Sequence, residues 1–525
     1  MKYRFFYNGH IHTLADQSPA HWLLSGNGKI VALGHADDPP DLSGLNATTH
    51  DLEATHVYPA FSDAHTHLVM TALNSLRIDL RPAISLSQAV DLLAQRRHDF
   101  QPGEWVLGSG YDANLWQDGR PHKKILDRIF PENPVLLESK DCHSVWVNQA
   151  ALKMAGITAA TPDPPGGKIY RDADHTPNGL LSEQAIPLIK QKIPPANSEQ
   201  SRRALRNLIA RMHRKGITTV HTMEGLKEYG LLQDMLNDDQ LPLRVVIYIP
   251  HQEMGGLISG GIHTGYGNEW LKLGGIKIFA DGSLGSRTAE LSEPYRDDPD
   301  NYGIAYLPED ELNELIYQAA EHGLAPAVHA IGDAAVHKVL QAFIRAQHWR
   351  DKWGFNFRLE HAQLVPAETL DLFARSKAVA SMQPIHIADD VEIAEKYWDE
   401  RSAFAYPIAA LMNKGVTVAF GSDTPVADFD PFKGIYSAVA RKYRLNPESP
   451  SWHPEMAISV AQAIRAYTAG PAMASGDFHL RGTLAVGKQA DFIVVENDLL
   501  TMKPEDLLSV SILKTVLNGE ILYQK

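Results

Sequence analysis

The segment Asp63-Ala-His65-Thr-His67 closes an apolar run, 57-VYPAFSDAHTH-67. Side chains alternate along a strand, so Asp63, His65 and His67 share one face. Two imidazoles two residues apart on a rigid strand make a bidentate clamp for a metal ion. In a chain with 24 histidines such a pair is a modest signal by itself. It gains weight because other polar residues recur at equivalent places. Lys277 lies within 271-LKLGGIKIFA-280, His329 ends the run APAVH, His361 ends FRLEH, and Asp423 follows VTVAFGS. One histidine at a strand end is ordinarily a hydrogen-bonded structural residue. Nitrogen and oxygen donors repeated at the ends of successive strands need a partner to offset their desolvation, and a divalent metal supplies one. Lys277 differs from the others in its chemistry. A protonated ammonium has no lone pair, whereas a desolvated neutral amine reacts with carbon dioxide to give a carbamate whose two oxygens bridge two metals. The alternative is an unmodified amine paired with Asp281.

These residues require strands that end on one rim. Short apolar runs, 216-GITTVH-221, 243-LRVVIYI-249, 271-LKLGGIKIFA-280, 325-APAVHA-330, 357-FRLEHA-362, 378-AVASMQ-383 and 415-GVTVAFGSD-423, alternate with helix-like segments. Their continuous apolar character suits parallel strands buried on both faces. Val336, Val339, Leu340 and Phe343 follow helical spacing behind Gly332-Asp333, and residues 309–322 place acidic groups in a first turn with Gly323 just past the end. With the run at 57–67 the strands number eight, the pattern of an α/β (β/α)₈ TIM barrel whose active site sits at the C-terminal ends of its strands. The barrel is assigned to 57–69 plus 201–477. Residues 70–200 hold their own elements, such as 104-EWVLGSGYD-112 and 134-PVLLESK-140, and are expected to form an α/β domain inserted at the active-site rim. Residues 1–56 and 478–525 show short alternating strands, with the hairpin signal Asn518-Gly519, and are expected to pair as one β-sandwich.

Composition narrows the function. At 525 residues, 44% hydrophobic and 21% charged, the chain is an ordinary globular protein with length for a large core. Lys+Arg 49 against Asp+Glu 63 gives −14, which argues against nucleic acid or an anionic membrane as partner. Cys142 is the only cysteine, so no intrachain disulfide and no multi-cysteine zinc site can form. Asn8, His10 and His12 interrupt the first apolar run, so a signal peptide's apolar region is missing there and a cytoplasmic protein is expected. Neither GxGxxG between strand and helix nor GxxxxGK[ST] occurs, which disfavours hydride transfer and P-loop chemistry.

The chain resembles the amidohydrolase superfamily, and within it the YtcJ-like branch that includes N-substituted formamide deformylases. The resemblance spans nearly the whole sequence. It rests on PAFSDAHTHL at 59–68, KIFADGSLGSRTA at 277–289, VHAIGDAAV at 328–336, LEHAQL at 359–364, GSDTPV at 421–426 and GTLAVGKQADFIVVEND at 482–498. It implies metal ligation by His65, His67, Lys277, His329 and His361, with Asp423 as proton-transfer residue and a ligand of the more buried metal. Zinc is the first candidate for imidazole-rich sites, and manganese, iron or cobalt suit the same ligands. One or two ions fit the pattern, with a carbamate on Lys277 in the binuclear case. Such a metal lowers the pKa of its water from about 16 toward 7. Asp423 then moves the proton, and the metal or His329 polarises the scissile carbonyl. Trp116 in GYDANLW and the segment 141-DCHSVWVNQAAL-152 resemble the branch's pocket region. Asp141, His143 and Trp146 are expected to contact substrate, as is Arg287 beyond the fourth strand, with core packing the alternative for both tryptophans. Gln383 and His386 follow the seventh strand, as mouth-lining or loop-bonding residues. The expected activity is hydrolysis of a non-peptide C–N bond in a small amide, N-substituted formamide or cyclic amide. A lactonase or esterase on the same metal is one alternative, and a catalytically silent barrel scaffold another. Relatives are commonly homo-oligomers, and no motif here fixes the state.

Overall fold

The computed structural model describes residues 2–15, 19–113, 115–140, 144–194 and 198–525. The chain divides into two compact units, Met1–Thr71 with Leu205–Lys525, and Ala72–Ala204. In the first unit all eight expected strands form. They are β1 (Phe61–Thr66), β2 (Ile217–Met223), β3 (Arg244–Pro250), β4 (Leu271–Phe279), β5 (Pro326–Ala330), β6 (Arg358–His361), β7 (Val379–Met382) and β8 (Val418–Phe420). They lie side by side in chain order, every neighbouring pair parallel. Backbone bonds between the residues just past β8 and the end of β1 close the ring: Asp423 N donates to His65 O at 2.7 Å, and His67 N to Thr424 O at 2.9 Å. Gly421 permits that approach, because a Cβ there would stand 2.4 Å from His65 N. The result is the (β/α)₈ barrel.

Helices cover the strands where the periodicity places them. Asp333–Trp353 buries Val336, Val339, Leu340 and Phe343, with Gly332 at its N-cap. Glu309–Glu321 carries Glu309, Asp310 and Glu311 in its first turn, where they complement the helix dipole. Gly323, just beyond it, has φ 72° and ends the helix in the left-handed region.

Two further sheets of this unit use both ends of the chain. One orders Lys29–Gly34, Trp22–Gly26, Tyr3–Tyr7 and Ala47–Asp51; the other orders His10–Ile11, His56–Pro59, Phe492–Val495, Ile512–Leu517 and Glu520–Gln524. Phe6, Leu23 and Ile30 of the first pack with Val57, Phe492, Val494 and Val516 of the second in one buried cluster. The strand His56–Pro59 belongs to this sandwich, and Ala60 alone separates it from β1.

The second unit is built on a six-stranded sheet ordered Gly167–Arg171, Pro177–Glu183, Ser144–Val147, Val135–Ser139, Val106–Tyr111 and Ile78–Asp79. Its core holds Tyr111, Trp116 and Trp146 in mutual contact, with ring centroids 5.8–6.1 Å apart. Among the described residues no helix is long and apolar enough to cross a membrane.

Candidate active site

The C-terminal ends of the barrel strands bring six of the expected residues to one rim. His65 ends β1 and His67 follows it; Lys277 lies near the end of β4, His329 on β5 and His361 at the end of β6, while Asp423 stands just past β8. Ring centroids of His65 and His67 are 5.7 Å apart, those of His65 and His361 5.0 Å, and those of His329 and His361 4.4 Å. His65, His361 and Asp423 can each turn a ligand atom to a common point, these atoms lying within 4.8 Å of one another. His361 has φ 74° and Asp423 φ 61°. Such backbone is costly for residues with a Cβ and persists where the surroundings over-determine it, as functional sites do.

The second nitrogen of each ring fixes what the first can do. His65 Nδ1 stands 2.6 Å from Glu360 Oε2 and donates to it. His67 Nδ1 stands 3.1 Å from the Met223 carbonyl, which can only accept. The remaining nitrogens, His65 Nε2 and His67 Nε2, face the same Asp423 Oδ1 at 3.5 and 3.3 Å. Two imidazole nitrogens turned on one carboxylate oxygen need a cation between them, a proton or a metal ion. At His65 burial argues against the proton, pushing its pKa down to about 4, assisted by the Lys277 charge. Burial, then Lys277, pushes His329 down to about 3, and burial with His329 and His65 beside it holds His361 well below the usual imidazole range. His329 Nε2 donates to Gly282 O at 2.9 Å, leaving Nδ1 as its free donor atom. Burial would raise Asp423, yet His67 and His65 hold it ionised, well below the usual carboxylate range. The donor set therefore suits a divalent metal.

Lys277 Nζ is buried with no hydrogen-bond partner among the described residues. Burial brings its pKa down to about 8, so an appreciable neutral fraction exists near physiological pH. Asp281, the alternative partner, directs its carboxylate to the backbone N–H groups of Ile331, Gly332 and Glu290 at 2.8–3.3 Å. Burial raises Asp281 to about 7, and likewise Asp63, which accepts from Ser422 Oγ at 2.6 Å and tethers the β8 end to β1.

The residues missed from the sequence lie beneath the histidines. Glu360, which orients His65, is gripped by Arg358 through Nε–Oε1 at 2.8 Å and Nη2–Oε2 at 3.1 Å. Burial alone would raise Glu360, and Arg358 instead holds it well below the carboxylate range. Arg358 also donates to His221 Nδ1 at 2.7 Å, Tyr248 Oη at 3.0 Å, Ser381 Oγ at 3.0 Å and Ala64 O at 2.6 Å. The available signal was the charged pair at i, i+2 in the otherwise apolar strand FRLEH. Of the expected substrate residues, Trp116 is 2% exposed in the core of the second unit, its indole N–H donating to Ala83 O at 3.2 Å. Trp146 is fully buried in that core. Arg287 is partly exposed and pairs with Asp297 at 3.1 Å. Asp141, Cys142 and His143 lie outside the described residues. Gln383 donates to Ser381 O at 3.2 Å, whereas His386 Nε2 is buried and unpartnered among the described residues.

The chain is similar to known proteins along nearly its whole length. Residues 48–523 match the amidohydrolase family. The chain is 34% identical to the amidohydrolase YtcJ of Bacillus subtilis over 517 residues, covering 96% of this chain and 94% of that protein. It is 26% identical to an N-substituted formamide deformylase of Arthrobacter pascens over 543 residues, covering 99% of this chain and 98% of the other. A metal-dependent hydrolase from Pyrococcus furiosus superposes with TM-score 0.78 at 27% identity, covering 95% of this chain and all of that one (100%). With the family matched along nearly its whole length, the chain belongs to the amidohydrolase family and is a hydrolase.

Proposed function

We propose that the barrel mouth binds zinc through His65, His67, His361 and Asp423, and hydrolyses a small amide, an N-substituted formamide or cyclic amide being the favoured class. The observation that carries this reading is the pair of imidazole nitrogens facing one oxygen of Asp423 at 3.3 and 3.5 Å. His329 and Lys277 would hold a second ion. In that case the neutral Lys277 amine attacks the carbon of carbon dioxide and releases one proton, leaving a carbamate. When bound, the metal supplies Lewis acidity, lowering the pKa of a water and polarising a carbonyl. Asp423, ionised and beside both rings, accepts the proton of the attacking water and returns it to the leaving nitrogen. Glu360 keeps the His65 Nδ1–H engaged, so that Nε2 stays a donor atom. His386, half-buried with a ring nitrogen that has no partner among the described residues, would bond a substrate carbonyl or amide.

The test is turnover of a panel of N-substituted formamides, cyclic amides and lactones by chelator-treated protein, before and after adding zinc. Zinc-restored cleavage of C–N bonds is the expected result. Cleavage of lactones alone would move the reading to an esterase, and no turnover of any of them to a silent scaffold. Incorporation of ¹³C-bicarbonate, read by NMR and lost in Lys277→Arg, checks the carbamate.

A further inference from the structure

A second group of metal-type donors stands in the terminal sandwich, outside the barrel mouth. His12, His56 and Asp498 offer one ligand atom each within 4.8 Å of one another. They sit on or just beyond three adjacent strands of one sheet. His12 follows His10–Ile11, which pairs in parallel with the start of His56–Pro59, and that strand pairs antiparallel with Phe492–Val495, three residues before Asp498. The backbone bond from His12 N to Val57 O at 2.9 Å holds the first two ligands at fixed register.

The atoms face inward. His12 Nε2 stands 3.0 Å from His56 Nδ1 and 3.7 Å from Asp498 Oδ1. The second distance is beyond hydrogen-bond reach, so the carboxylate sits beside the imidazole pair without being bonded to His12. Two atoms each about 2.0–2.1 Å from a tetrahedral zinc stand roughly 3.3 Å apart, a spacing that falls between these two distances. Neighbouring groups keep the ligands in place. Tyr58 stacks on His12 at 4.4 Å and 2°, and its hydroxyl donates to Asp498 Oδ1 at 2.6 Å. Leu499 N in turn donates to Tyr58 Oη at 3.1 Å, and His10 stacks on His56 at 4.9 Å. This is the kind of surrounding shell that orients metal ligands. The donors are two nitrogens and one oxygen, a set for a zinc-type divalent ion rather than calcium or magnesium. The side chains are partly open, His12 at 13% and Asp498 at 24%, so an ion can enter.

We infer that His12, His56 and Asp498 form a second zinc-type metal site, separate from the barrel mouth, which pins the N-terminal strand to the C-terminal segment. The inference does not depend on the hydrolase reading.

The experiment is equilibrium dialysis of the full chain against Zn²⁺ near neutral pH, with bound metal counted by plasma mass spectrometry. His12→Gln and His56→Gln should each carry one equivalent fewer than the wild type, with hydrolytic turnover unchanged. Equal loading in wild type and variants overturns the site. Should the variants not fold, the wild type decides through histidine C2–H exchange, read peptide by peptide by mass spectrometry. Zn²⁺ should slow exchange at both His12 and His56, and rates unaffected by Zn²⁺ contradict the inference.

Discussion

The barrel mouth and the sandwich cluster use nearly the same ligands, imidazoles with one aspartate, yet differ in everything around them. At the mouth, His65 is 1% exposed and its carboxylate partner Glu360 fully buried, itself gripped by a buried arginine. A lysine stands close by with no hydrogen-bond partner among the described residues, and two of the mouth residues, His361 and Asp423, have left-handed backbone. In the sandwich, the carboxylate of Asp498 is partly solvated and already accepts a tyrosine hydroxyl. Donor identity tells where a metal can sit. The dielectric and the fixed second bonds tell whether that metal can do chemistry, because charge in a dry, preorganised site is worth far more than the same charge beside water.

That contrast can be broken most severely at the mouth. A His65→Ala/His67→Ala protein should lose its barrel metal and at least about 10³-fold in kcat/KM, since the nucleophile is then no longer generated. Glu360→Gln keeps the shape but weakens the acceptor that sets the His65 tautomer. It should cost roughly 10–100-fold in metal affinity or turnover, and little more when combined with His65→Ala, a non-additivity that a double-mutant cycle measures. A third test separates the chemistry from the stability of the scaffold. His213 is 5% exposed, its Nε2 donates to Pro242 O at 2.8 Å, and burial pushes its pKa from 6.5 down to about 4. Its folded pKa lies below its unfolded one, so its contribution is complete above about pH 6.5 and is lost as pH falls toward 4. Between pH 7.5 and 4.5, denaturant unfolding should show the wild type losing about 2–3 kcal/mol more than His213→Gln, while turnover at pH 7.5 stays unchanged.

The barrel was legible because its strands are buried on both faces and therefore read as apolar runs, and because six of the polar exceptions fell at or near strand ends. Six mouth residues followed from that single regularity. Glu360 and Arg358 did not, for two reasons. Alternation places Glu360 opposite its neighbour His361, and the positive φ of His361 breaks that alternation and lets both serve one site. Arg358 reads as an ordinary charged residue until acceptors on four other strands, Ala64, His221, Tyr248 and Ser381, are seen around it, a non-local fact. Trp116 shows the reverse error of scale: a large aromatic in a family-like segment is as easily a core anchor, and the described contacts make it one. The sandwich cluster was invisible because His12, His56 and Asp498 are scattered over the chain and meet only through strand pairing.

The measurement closest to the central claim is metal content per chain, taken by plasma mass spectrometry on wild type and His65→Ala/His67→Ala purified without chelators and with bicarbonate present. The wild type should hold at least one equivalent of divalent metal that the double variant lacks, and two if Lys277 is carbamylated. Equal metal content in the two proteins, with hydrolysis intact in both, would contradict it.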